Sequence, residues 1–175
     1  LEKLKEFQVI TFDAPGTGNS AAPLLPYKLS SVASVASQVL DELGHNQVDV
    51  LGYSLGGAVA QQLALQDPTR VRRLILASTL CGTGAVPGAL PALLAVMTPA
   101  RHYAKSGYRI ARNLFILAPA EKESSALKRQ MEYWHQNGSP SIRGYMFQMN
   151  AMSSFNSLPW LNRVNHPTLV LAGAE

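Results

Sequence analysis

One cysteine, Cys81, stands in 175 residues. Alone it cannot close an internal disulfide, and it excludes a metal site built on several thiolates. A lone thiol fits a reducing, cytoplasmic setting. Charge is scarce too: Asp, Glu, Lys and Arg make up 15% of the chain. The net charge is +4, but the basic residues are scattered, with Arg72-Arg73 and Lys128-Arg129 the only adjacent pairs. A nucleic-acid interface needs a concentrated basic face, so nucleic acid is not an expected partner. No apolar run approaches about 18 residues, so no transmembrane segment is visible. What the chain does have is apolar bulk. At 47% hydrophobic it is too apolar to be a disordered tail, and its length suits one domain with a real core.

The first 80 residues alternate strand and helix signals. QVITF (8–12) and VDVLGY (48–53) read as strands, and VRRLILAS (71–78) as a third. Residues 13–27 carry three prolines and two glycines and read as loop. Residues 30–43 repeat apolar positions every three or four, which predicts an amphipathic helix capped by Ser30 or Ser31 and stopped at Gly44. Residues 55–66 predict a second helix, ended by Asp67-Pro68. Strands alternating with helices imply a parallel α/β sheet. Strands of Val, Ile and Leu without polar alternation suit a sheet covered on both faces.

Residues 79–165 break this rhythm. Helical pieces are expected near 90–104, 106–118, 120–137, 141–153 and 158–164. All five methionines (Met97, Met131, Met146, Met149, Met152) and both tryptophans (Trp134, Trp160) fall here. Such residues build an insert's own core, and Met also lines adaptable apolar pockets. HPTLVLAG (166–173) returns to a strand pattern. The expected organisation is an α/β core over 1–78, an inserted helical cap over 79–165, and a core strand within 166–175.

The chemistry concentrates at Gly52-Tyr53-Ser54-Leu55-Gly56. A G-x-S-x-G between a strand and a helix is a nucleophile elbow. The tight turn lifts the Ser54 hydroxyl clear of the sheet, and glycines two residues either side keep the turn from crowding. The helix N-terminus presents free N–H groups and a partial positive charge. The Leu55 N–H would then stabilise an oxyanion, a contribution of about 3–4 kcal/mol. A second glycine motif, Gly16-Thr17-Gly18-Asn19-Ser20-Ala21, resembles a dinucleotide fingerprint. That fingerprint needs a helix to begin there, and Pro23 and Pro26 oppose one.

With FDAPGTGNS, LGYSLGG, VRRLILAS and HPTLVLAG in this order, the chain resembles the α/β-hydrolase fold superfamily. FDAPGTGNS resembles that family's D-x-x-G-x-G-x-S loop. Through GAVPGALPALLAVMTPARHY (84–103) the resemblance extends to the intracellular poly(3-hydroxyalkanoate) depolymerases. Their elbow often carries Trp after the serine, where this chain has Leu55. The resemblance implies a mostly parallel sheet with helices on both faces and an inserted cap. It implies a serine carboxyl-ester hydrolase with Ser54 as nucleophile, working without metal or organic cofactor. The substrate implied is an apolar ester, a small molecule or a polyester, with association at lipid or polyester surfaces. Another hydrolase activity on the same fold (lipase, C–C hydrolase, perhydrolase) and a non-catalytic binding protein are the alternatives.

The resemblance also implies where the serine's partners belong. The family's acid follows the strand matched by PTLVLAG, and its histidine lies further on, so both are expected beyond Glu175. The second oxyanion donor is expected before Leu1, on which the chain opens with a helix-tail pattern, LEKLKEF. None of the four histidines fits. His45 falls in a turn, His166 precedes a strand, and His102 and His135 belong to the insert. Asp13, Asp49 and Asp67 read as loop, strand-start and helix-stop residues. The chain therefore reads as an interior stretch, truncated at both ends. In the family's strand order another strand lies between QVITF and VDVLGY, so the isolated 175 residues should fold poorly and lack normal turnover, keeping at best a small residual rate. Far-UV circular dichroism should show no cooperative melt for the isolated chain; a sharp, reversible transition would contradict this.

Overall fold

The structure, a computed structural model of the chain, describes residues 6–82 and 141–173. Three expected helical pieces, near 90–104, 106–118 and 120–137, lie outside the described residues, with Met97, Met131 and Trp134. The elements in chain order are α1 (Leu29–Glu42), β1 (Val48–Tyr53), α2 (Leu55–Gln66), β2 (Val71–Ala77), α3 (Ile142–Ser153), a 3-10 turn (Leu161–Arg163) and β3 (Thr168–Leu171). The strands form one parallel sheet in the order β1-β2-β3. Gly52 pairs with Leu76, Tyr53 with Ala77, and Ala77 with Leu171. The carboxyl ends of all three strands therefore finish in one row.

α1 buries Leu29, Val32, Ala33, Ala36 and Leu40, the three-and-four spacing of a single stripe. The expected serine cap is corrected. The boundary residue is Lys28, extended and without a side-chain cap bond, and Ser30 and Ser31 are already helical. Burial of Leu29 with Ala58, Ala151 and Phe155 draws the helix start upstream of the serines. Gly44 does end the helix. It takes φ 72°, and the His45 N–H reaches back to the Leu40 carbonyl. α2 buries small residues on its inner side (Gly57, Ala58, Ala60, Ala64) together with Gln61 and Leu63. Small side chains let its axis lie close to β1 and β2, and Ala60, Leu63 and Ala64 share a core with Val71, Leu74 and Leu76.

Charged groups brace the rear of the sheet. Arg70 bonds both Asp67 and Asp41, and Ser37 donates to Asp67, tying α1 to the loop before β2. Arg72 grips Asp49 with two bonds of 2.8 and 2.6 Å and holds that carboxyl below its usual range.

Two expectations are overturned. QVITF (8–12) is not a strand: apart from half-buried Ile10 it lies exposed, and no described segment pairs with it. Strand propensity alone cannot satisfy backbone N–H and C=O groups without a neighbour. The helix expected over 158–164 is reduced to turns and the 3-10 segment. Val164, directly after the 3-10 turn, is already extended, and the chain runs on from there into β3 at Thr168. Among the described residues helices cover one face of the sheet. On the other, Leu51 and Tyr53 are 65% and 67% exposed.

Behind α2 lies a buried polar contact across a long sequence gap. Ser157, fully buried, donates to Gln61 Oε1 at 2.6 Å, and its N–H donates to the Cys81 carbonyl at 2.7 Å. Gln61 Nε2 donates to the Leu80 carbonyl. Removing one partner leaves a buried acceptor unpaired, at about 1–3 kcal/mol. In the full-length protein, Ser157→Ala should lower the unfolding free energy by that amount, read as a lower urea midpoint with an unchanged denaturant slope. A loss below about 0.5 kcal/mol would show that the contact is not structural.

Candidate active site

Ser54 follows the last residue of β1 and stands at the N-cap of α2 with φ 50° and ψ −118°. Left-handed φ in a non-glycine residue is strained by about 1–3 kcal/mol and marks a position fixed by its surroundings. Those surroundings are visible. The Ser54 N–H donates to the Ala77 carbonyl at 3.0 Å, tying the turn to the end of β2. The Ser54 carbonyl accepts from the Gly57 N–H at 2.9 Å and from the Thr79 hydroxyl at 2.7 Å. A serine at an N-cap normally spends its hydroxyl on the helix N–H groups. Ser54 makes no such bond, and its side chain is exposed. The Leu55 N–H, in the first turn of α2, is among the groups that an α-helix leaves unpaired.

The two elbow glycines are not equivalent. A Cβ on Gly52 would collide with the Gly56 carbonyl and lie 2.5 Å from Gly57 Cα. A Cβ on Gly56 would meet nothing within 4 Å among the described residues. The expected crowding is therefore one-sided. Gly52 is needed so that β1 can pass under the first turn of α2. Gly57, beyond the motif, is the second tight contact: its Cβ would strike the Thr79 side chain.

Ser78, after β2, also takes a left-handed φ of 46°, and its N–H donates to the Leu171 carbonyl at 2.8 Å. The ends of β1, β2 and β3 are thus laced side by side beneath Ser54, and residues after β3 begin at this edge.

The 13–22 loop is closed by its own aspartate. Asp13 Oδ2 accepts from the Asn19 N–H, and the Asp13 carbonyl accepts from the Ser20 hydroxyl. Gly18 has φ 50°, and a Cβ there would strike the Asp13 carboxylate. No helix follows until Leu29, so the structure does not support a dinucleotide cradle here. The loop docks instead on the start of α3, where Arg143 donates to the Ala22 carbonyl and Gly144 abuts Gly16. Tyr27 donates to the Pro15 carbonyl and meets Phe147 edge-on, and burial raises the Tyr27 phenol's pKa.

Neither described histidine approaches Ser54. The His45 carbonyl accepts from Arg70 at the far end of the sheet. His166 Nε2 bonds the Pro68 carbonyl, also at the N-terminal ends of the strands. His102, His135 and Glu175 lie outside the described residues. Trp160 packs edge-on against Phe155, with ring centres 6.0 Å apart, in the cluster holding Leu29 and Ala58. Its visible role is structural. Among the described residues no three His, Cys, Asp or Glu groups gather to hold a metal, and no helix is long and apolar enough to cross a membrane. Thr79 was legible as a polar residue just past a strand end. A search there for carboxylates alone passes over it.

The family model for the alpha/beta hydrolase fold matches residues 1–91. A poly(3-hydroxyalkanoate) depolymerase of Ectopseudomonas oleovorans is 37% identical over 177 residues, covering 97% of this chain and 59% of that protein. A 3-oxoadipate enol-lactonase of Acinetobacter baylyi is 27% identical, covering 97% of this chain and 62% of that protein. The crystal structure of a hydrolase from Pseudomonas aeruginosa superposes with a TM-score of 0.70 at 30% identity, covering 93% of this chain and 60% of that one. The chain thus spans about 60% of the length of the relatives it matches.

The unequal glycines give a direct test in the full-length protein. Gly52→Ala should lower the melting temperature by several degrees, the scale of a steric clash costing about 1–3 kcal/mol. Gly56→Ala should leave it unchanged or raise it slightly, because Ala is the better helix former. Equal losses in both variants would contradict the one-sided packing.

Proposed function

The chain belongs to the alpha/beta hydrolase fold family, and on that premise we propose that its full-length protein is a serine hydrolase of apolar carboxyl esters. The observation that carries the reading is Ser54, held with left-handed φ on the strand-to-helix turn with its hydroxyl unspent on capping. A serine that only closed the helix would be expected to use that hydroxyl.

The proposed reaction has two halves. Ser54 Oγ attacks the acyl carbon while a base takes its proton. The Leu55 N–H bonds the oxyanion that forms. The C–O bond to the alcohol breaks, the alcohol leaves with the proton, and an acyl ester remains on Ser54. Water, deprotonated by the same base, attacks that ester, releases the acid and restores the serine. The base is proposed to be a histidine, with an acid orienting it. Neither is found beside Ser54 among the described residues. The acid is proposed to follow β3, and the Ser78–Leu171 bond supports this by bringing that strand end to the Ser54 edge.

The substrate class follows from two supports. The depolymerase relative is named for a polyester of hydroxy acids, and the lactonase relative for an enol-lactone, so an acyl ester is common to both. Residues 79–165 carry all the methionines and tryptophans, a composition suited to an apolar acyl chain. Hydroxyalkanoate oligomers of medium chain length are the proposed physiological esters.

Ser54→Ala in the full-length protein should cut ester turnover by about 10^6-fold, the scale for losing a catalytic serine. It should also abolish labelling by a fluorophosphonate probe. Across p-nitrophenyl esters, kcat/KM should rise from acetyl to octanoyl. Labelling retained in the alanine variant would sink the nucleophile, and an acetyl optimum would sink the apolar substrate.

A further inference from the structure

We propose that Thr79 is a positioning residue that aims the oxyanion donor, an inference that rests on the serine-hydrolase reading above. The Ser54 carbonyl and the Leu55 N–H belong to one peptide group. That group is planar and rigid, so whatever fixes the carbonyl fixes the N–H at its other side. Two donors hold the carbonyl, the Gly57 N–H at 2.9 Å and the Thr79 hydroxyl at 2.7 Å. The Gly57 bond is local to the first turn of α2. The Thr79 bond comes from the segment after β2, 25 residues on, and references the plane to the sheet.

Three further observations fit this role. Ser54 is left-handed, so its peptide plane would relax if released, and a second donor opposes that. Gly57 lacks the Cβ that would strike Thr79, so α2 leaves room for the threonine at this point. The segment carrying Thr79 is itself anchored. Ser78 before it bonds Leu171, and the Leu80 and Cys81 carbonyls after it accept from Gln61 and Ser157. A donor on the carbonyl also polarises the attached N–H, strengthening its bond to a developing negative charge.

The effect belongs to the transition state, where the oxyanion exists, and not to ground-state binding. In the full-length protein, Thr79→Val should lower kcat roughly tenfold, the scale of one hydrogen bond, and leave KM within about twofold. Affinity for an alkyl boronic acid, which forms a tetrahedral adduct on the serine, should fall by the same factor. Thr79→Ser should restore both, and the pH profile should keep its midpoints. Gly57→Ala, which displaces the threonine without removing its hydroxyl, should reproduce the loss, and the double variant should lose no more than either single one. It stands in for Thr79→Val if the valine variant does not fold.

A wild-type enzyme that acylates Ser54 while Thr79→Val keeps full kcat and boronate affinity would overturn the role of Thr79 alone. A loss confined to KM, or a serine variant as impaired as the valine one, would overturn it equally. A wild type that turns over ester without acylating Ser54 would overturn the underlying reading instead.

Discussion

The carbonyl of Ser54 accepts two hydrogen bonds, one from α2 and one from the segment that leaves β2. Together with the Ser54 N–H bond to Ala77, they fix a strained turn at the point where three strand ends meet a helix N-terminus. The strain is local, but the support is not. Gly52 lets β1 run beneath α2, and the small inner side of α2 lets the helix lie close to the sheet. Gln61 and Ser157 then tie the buried side of α2 to a segment 96 residues away.

The ion pairs of Arg70 and Arg72 lie near the N-terminal ends of the strands. The carboxyl-end edge carries Ser54, Ser78 and Thr79, small hydroxyl residues whose backbone groups are aimed by the sheet. In open parallel sheets ligands bind at the carboxyl ends of the strands. The helix N-terminus adds its partial positive charge at that edge, where an acyl oxyanion would form.

Much of this was legible in the sequence because it rests on period and on glycine. The apolar stripe of α1, the strands β1 and β2, the elbow and the stop at Gly44 all follow from local pattern. What the pattern did not carry was pairing. QVITF has the composition of a strand, yet a strand exists only beside another. The helix expected over 158–164 failed for a related reason, since β3 constrains where that segment must arrive. The Ser30 and Ser31 caps were overridden by burial of Leu29, a tertiary demand. Thr79 was passed over because its role depends on a contact 25 residues away, and Gly56 was overvalued because direction in space is not written in spacing.

One measurement reaches the central claim most directly. The full-length protein would be mixed with p-nitrophenyl octanoate, quenched in acid within milliseconds, digested and examined by mass spectrometry. The account predicts an octanoyl group on the peptide that carries Ser54, formed in a burst with nitrophenol release and lost as turnover proceeds. Rapid hydrolysis with the acyl group on another residue, or with the peptide of Ser54 never modified, would contradict it.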